Sequence, residues 1–126
     1  MTTPSNVTTP TNVTIYHNPG CSKSRRTLEL LTEQGIEPTI VLYLETPPTA
    51  DQLQLLLVQL GMSPRQLLRT GEPAYISMGL GSLVLTETAL IEAMVAAPIL
   101  IQRPIVVVGN RATLGRPPEQ VLELLA

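Results

Sequence analysis

VTIYHNPGCSKSRR, residues 13–26, carries a strand, a turn and the start of a helix in one short run. Val13-Thr-Ile-Tyr16 is β-branched and aromatic and predicts a first strand. Asn18-Pro-Gly-Cys21 has turn composition, and Ser22 to Gln34 follows as a helix with Leu28 and Leu31 on one face, closed by Gly35. Thr39 to Leu44 (TIVLYL) is a near-continuous apolar run, the pattern of a buried strand. Strand, helix and strand at that spacing predict a βαβ unit with a parallel pair.

Further along, the chain turns helical. Thr49-Ala-Asp-Gln52 and Ser63-Pro-Arg-Gln66 fit the capping-box pattern, the second with proline at the first helical position. Leu53, Leu56, Leu57 and Leu60 form an apolar stripe ending at Gly61. Thr86 to Ala96 predicts another helix with Leu90, Ile91 and Met94 inward, and the Gly-rich segment 71–85 between them reads as mostly loop. Arg103-Pro104-Ile-Val-Val-Val108 predicts a strand; Gly109-Asn110 is a hairpin signal that pairs it antiparallel with Ala112 to Leu114. Pro117 to Leu125 predicts a closing helix that buries Val121, Leu122 and Leu125. The order β-α-β, helices, β-β-α predicts an α/β fold: a four-stranded mixed sheet with a helical insertion between the second and third strands. Thr3–Thr8 and Thr9–Thr14 repeat a Thr-Pro-x-Asn-Val-Thr unit; the uncharged residues 1–11 are expected to form a disordered tail, leaving 12–126 as a single domain.

Composition narrows the function. Of 126 residues, 44% are hydrophobic but only 2% aromatic, three Tyr with no Phe or Trp, so a base-stacking platform is hard to assemble. A net charge of −2 argues against a surface built for phosphate contacts, so no nucleic-acid partner is expected. One Cys and one His make neither an internal disulfide nor a structural zinc site, and no metal is expected. Neither a signal peptide nor a membrane-spanning run is apparent, so the sequons at Asn6 and Asn12 are expected to go unused in a cytoplasmic protein that does not contact membrane.

The single thiol is the feature to explain. Cys21 stands at a helix mouth, facing free amides and the positive end of the dipole, with Lys23, Arg25 and Arg26 directly after it. His17, at the strand end, is expected to add to the stabilisation of a thiolate. Lowering a thiol pKa from about 8.5 to about 6.5 raises the thiolate fraction at pH 7 roughly 25-fold. Nucleophilicity falls roughly 8-fold, so the net gain is about threefold. Most of any rate enhancement must therefore come from binding and charge stabilisation.

Charge patterning supplies a source. Between Pro98 and Pro118 stand Arg103, Arg111 and Arg116 with no acidic residue, and Arg69 ends the helix that begins at Ser63. Guanidinium forks of this kind suit an oxyanion. A phosphatase-type Cys-x5-Arg loop is excluded because Thr27 stands where the arginine belongs; a Cys-x-x-Cys dithiol is excluded by Ser24. Any thiol turnover needs an outside thiol.

Ile15-Tyr-His-Asn-Pro-Gly-Cys-Ser-Lys-Ser-Arg25, Leu42-Tyr-Leu-Glu-Thr-Pro-Pro48, Leu67-Leu-Arg69, Pro98-Ile-Leu-Ile-Gln-Arg-Pro-Ile105 and Gly115-Arg-Pro-Pro-Glu119 together resemble the glutathione- and glutaredoxin-linked arsenate reductases of the ArsC type. The resemblance runs from about residue 13 to the C-terminus and implies a thioredoxin-like fold. It also implies a catalytic cysteine at Cys21, oxyanion-binding arginines at Arg69, Arg103 and Arg116, and supporting roles for His17, Ser24 and Arg25. Arg103-Pro104 resembles the family's cis peptide beside the active site. By the same resemblance, arsenate or a similar oxyanion is the substrate, glutathione a co-substrate and glutaredoxin the protein partner. No bound cofactor is implied, and the chain is expected to act as a monomer. One departure stands out: the loop reads Cys-Ser-Lys-Ser-Arg where the best-known arsenic-resistance enzymes carry Cys-Gly-Thr-Ser-Arg, which places the chain near a related branch and leaves its preferred substrate open. Two other readings remain: a regulator of the Spx type, which shares the fold and binds RNA polymerase, and a monothiol oxidoreductase acting on glutathione adducts.

Overall fold

In the computed structural model, residues 12–125 are described; the predicted N-terminal tail lies outside them. Strand β1 (Val13–His17) alternates as a half-buried strand should, with Val13, Ile15 and His17 inward and Thr14 and Tyr16 partly exposed. Helix α1 (Ser22–Glu33) follows, and Gly35 at φ +79° supplies the left-handed residue past its end. Strand β2 (Thr39–Leu42) comes next, and β3 (Ile105–Val108) and β4 (Arg111–Leu114) complete a sheet of order β2-β1-β3-β4. β1 pairs antiparallel with β3, Ile15 opposite Val106, and β3 pairs antiparallel with β4, Ile105 opposite Leu114. β1 and β2 are neighbours joined through α1, the crossover that parallel pairing requires, so the sheet is mixed as the element order predicts. Gly109 (φ +63°) takes the first central position of the tight β3–β4 turn, the place where a two-residue hairpin of type II′ needs glycine.

Two expectations need correction and a third needs detail. The apolar run 39–44 is not a buried strand: β2 stops at Leu42 and sits at the sheet edge, with Ile40 47% exposed, because only one neighbour covers it. Segment 71–85 is mostly loop, as expected, interrupted by one short helix, α4 (Pro73–Ser77), that Pro73 opens; Arg65 ties down the turn beyond it by donating to the Leu80 and Ser82 carbonyls at 3.0 Å each. The C-terminal helix is a 3-10 turn (Pro118–Val121) running into α6 (Leu122–Leu125), and only Val121 is fully buried; Leu122 and Leu125 are partly covered.

The chain divides into two units. One contains the described residues up to Val41 and those from Arg103 onward, with a core of Val13, Ile15, Leu31, Ile36, Val106 and Val121. The other is Leu42–Gln102, the helical insertion. Its α2 (Ala50–Leu60) and α3 (Pro64–Leu67) begin at the capping boxes the sequence predicts, with Thr49–Gln52 and Ser63–Gln66 hydrogen-bonded in both directions. Both pack on α5 (Glu87–Ala96), whose Leu90, Ile91 and Met94 are buried.

Candidate active site

Cys21 is the N-cap of α1, with extended backbone (φ −105°, ψ 123°), held by its own N–H donating to the Asn18 carbonyl at 3.0 Å. The Pro-Gly turn that places it is fixed by the Gly20 N–H, which donates to Asn18 Oδ1 at 2.9 Å. Because an N-cap side chain points back over the first helical turn, the half-buried sulfur faces the backbone N–H groups of Ser24 and Lys23 without closing a capping hydrogen bond, and the Arg103 guanidinium reaches it as well. Burial pushes this thiol up. The Ser24 N–H, the Arg103 side chain and the Lys23 N–H outweigh burial, and the thiol lies below its ordinary range.

Ser24 also works through its side chain. Its Oγ, fully buried, accepts from the Asn18 N–H at 3.0 Å and lies 2.6 Å from His17 Nδ1. The end of β1 is thereby tied to the first turn of α1 on either side of the cysteine loop. His17 contributes without a charge. Burial, and then the nearby Arg25 charge, lower its pKa, so the imidazole is neutral at pH 7 and serves as a hydrogen-bonding partner of Ser24. Arg25, exposed, donates from Nη1 to the Pro19 carbonyl at 2.8 Å and so braces the turn from outside.

The arginines divide. Arg103 stands two residues before β3, and the half-buried Arg116 donates from Nη1 to the Arg103 carbonyl at 3.1 Å, which brings both residues to one end of the sheet. Each is followed by a cis proline, Pro104 and Pro117. Arg111 plays no part there: its Nη2 donates to the Leu124 carbonyl at 2.9 Å. Arg69 belongs to the helical unit, where its backbone N–H donates to the Leu100 carbonyl at 2.7 Å; its side chain is held by Glu72 (3.2 Å) and Gln102 Oε1 (3.1 Å). Among the described residues no group of three His, Cys, Asp or Glu is placed to hold a metal, and no helix is long and apolar enough to cross a membrane.

Two residues beneath the site escape a sequence reading. Thr27 is fully buried and donates from Oγ1 to the Lys23 carbonyl at 2.8 Å. Gly115, just before Arg116, lies so close to Thr27 and Pro104 that it has no room for a side chain. Glycine before Arg-Pro-Pro was visible in the sequence as part of a motif; the contact that demands it was not.

The sequence pattern of the ArsC family matches residues 16–124. The uncharacterized protein YfgD of Escherichia coli strain K12 is 57% identical over 114 residues, 90% of this chain and 96% of its own. The arsenate reductase of the same strain is 51% identical over 114 residues, 90% of this chain and 81% of its own. Among solved structures, the arsenate reductase from Vibrio cholerae superposes with a TM-score of 0.88 at 50% identity, covering 90% of this chain and 98% of that one.

Proposed function

Because the chain belongs to the ArsC family, we propose that it is an oxidoreductase that reduces arsenate to arsenite through Cys21, with glutathione and glutaredoxin as the electron source. The observation that carries this reading is the cradle around the sulfur: two helix N-terminal amides and the Arg103 guanidinium favour a thiolate in a place where an anion can also be held.

The Cys21 thiolate attacks arsenic(V), forming a sulfur–arsenic bond while one arsenic oxygen leaves as hydroxide or water. The glutathione thiol replaces a second oxygen, which leaves as water. A glutaredoxin thiolate then attacks the glutathione sulfur. The bond from that sulfur to arsenic breaks, its electron pair stays on arsenic, and arsenic(III) remains on Cys21 while the glutaredoxin–glutathione mixed disulfide departs. Water cleaves the last sulfur–arsenic bond and releases arsenite. Arg103 and Arg116 neutralise the oxyanion beside the thiolate, each charge-assisted hydrogen bond contributing about 1.5–3 kcal/mol. Arg69 enters this reading through the family resemblance. Ser24 and His17 keep the loop in place, and Lys23, exposed beside the sulfur, adds long-range attraction for an anion.

The test couples arsenate, glutathione, glutaredoxin and glutathione reductase to NADPH consumption. Wild-type protein is expected to turn over and Cys21→Ser to be silent. Equal rates from the two proteins would refute the reading, and phosphate and sulfate as competitors report which oxyanions the site accepts.

A further inference from the structure

Gly115 links the two halves of the cradle. Its N–H donates to the Pro104 carbonyl at 3.0 Å, directly after Arg103, and the next residue, Arg116, donates to the Arg103 carbonyl at 3.1 Å. The two arginine-bearing segments are thus laced together, with Gly115 at the crossing. On its other side Gly115 meets α1. A Cβ built there collides with Thr27 Oγ1 and stands 2.8 Å from Pro104 Cγ and 3.2 Å from Thr27 Cγ2. Backbone conformation does not require this glycine, since it is absent from the residues with positive φ; close approach does. Thr27 cannot swing away, because it is fully buried and its hydroxyl is tied to the Lys23 carbonyl in the turn whose amides face the Cys21 sulfur.

We propose that Gly115 and Thr27 are the positioning pair of the site: the bare Cα of Gly115 against the Thr27 side chain sets how closely the first turns of α1, carrying Cys21, approach Arg103 and Arg116. The proposal rests on the reading of Cys21 as nucleophile. Neither residue touches substrate; both act through the separation of groups that do. A methyl at position 115 meets Thr27 on one side and the Pro104 ring on the other, and the yielding element is the helix. The sulfur then recedes from the guanidinium, which weakens the stabilisation of the thiolate and misplaces the nucleophile. A misplacement of about 1 Å costs on the order of 10²-fold in rate.

Cys21 is the single cysteine of the chain, so alkylation by iodoacetamide reports on it alone. Folded Gly115→Ala, checked by circular dichroism, is expected to move the midpoint of the alkylation pH profile upward and to lower kcat/KM for arsenate by on the order of 10²-fold. Adding Thr27→Ala removes two of the three obstructing atoms and is expected to bring the midpoint back toward wild type. An unmoved midpoint in Gly115→Ala, or a double variant no nearer to wild type than the single, overturns the proposal. Where Gly115→Ala does not fold, Thr27→Val takes its place: it sets a methyl where the hydroxyl faced Gly115, with the same upward shift expected and an unchanged midpoint again fatal. The alkylation profile needs no arsenate. A wild-type enzyme inactive on arsenate would therefore sink the proposed reaction, while the alkylation comparison would still decide the positioning.

Discussion

In the proposed reaction Arg103 serves both the thiol and the anion, since its guanidinium reaches the Cys21 sulfur from the Arg103-Pro104 segment that leads into β3. Replacing it with alanine is expected to shift the alkylation midpoint upward and to lower kcat/KM for arsenate by roughly ten- to a hundredfold, the equivalent of one charge-assisted hydrogen bond. Retention of both parameters would remove Arg103 from the mechanism. His17 makes a different prediction. Its folded-state pKa lies below its unfolded value, so as pH falls below about 6.5 the unfolded chain takes up a proton that the folded chain refuses. Stability is therefore expected to decline on acidification from that point until the folded imidazole itself titrates. His17→Gln should flatten that stretch of a melting-temperature profile between pH 7.5 and 5; an unchanged slope would show that other groups govern it. At this scale Cys21 was legible because strand, Pro-Gly turn and helix leave an N-cap residue little choice of direction. The neutrality of His17 was not: it follows from burial and from Arg25 nearby, and neither is written in a strand-end histidine. The Thr27–Gly115 contact joins positions far apart in sequence and was equally hidden.

Elements were read best where the signal lies within a few residues. Both capping boxes are present because their reciprocal hydrogen bonds span three positions, and the Gly109–Asn110 turn because two residues determine it. β2 failed for the opposite reason. An apolar run declares affinity for cover, but the order β2-β1-β3-β4 decides whether cover is found, and at the edge it is incomplete. α4, inside a segment that is otherwise loop, is not legible because five residues offer no periodicity and the glycines around them dominate the composition. The contrast between strands can be measured. Ile15→Ala, in the sheet centre at 0% exposure, is expected to cost about 2–5 kcal/mol, whereas Ile40→Thr on β2 should stay within about 0.5 kcal/mol. Urea unfolding of the two variants checks this, and similar losses would mean that β2 is covered in solution.

For the molecule as a whole, the sequence disclosed the insertion: strands at both ends with capped helices between them become a sheet-bearing unit and a helical unit, Leu42–Gln102. The positions of its arginines were less accessible. Arg111 follows the same hairpin as Arg116 yet bonds to the Leu124 carbonyl, a choice set by where α6 ends. The chain's whole redox capacity rests on one sulfur. Incubation with oxidised glutathione is expected to give a single glutathione adduct, absent in Cys21→Ser and removed by glutaredoxin; intact-mass measurement checks it, and a wild-type protein that takes no adduct would show the sulfur closed to disulfides. An enzyme with paired thiols carries its own two-electron reserve and can complete one cycle in isolation. A lone thiolate at a helix mouth carries none; on the proposed route every product molecule is matched by a delivery from outside thiols, and throughput becomes a gauge of how well that supply is kept charged.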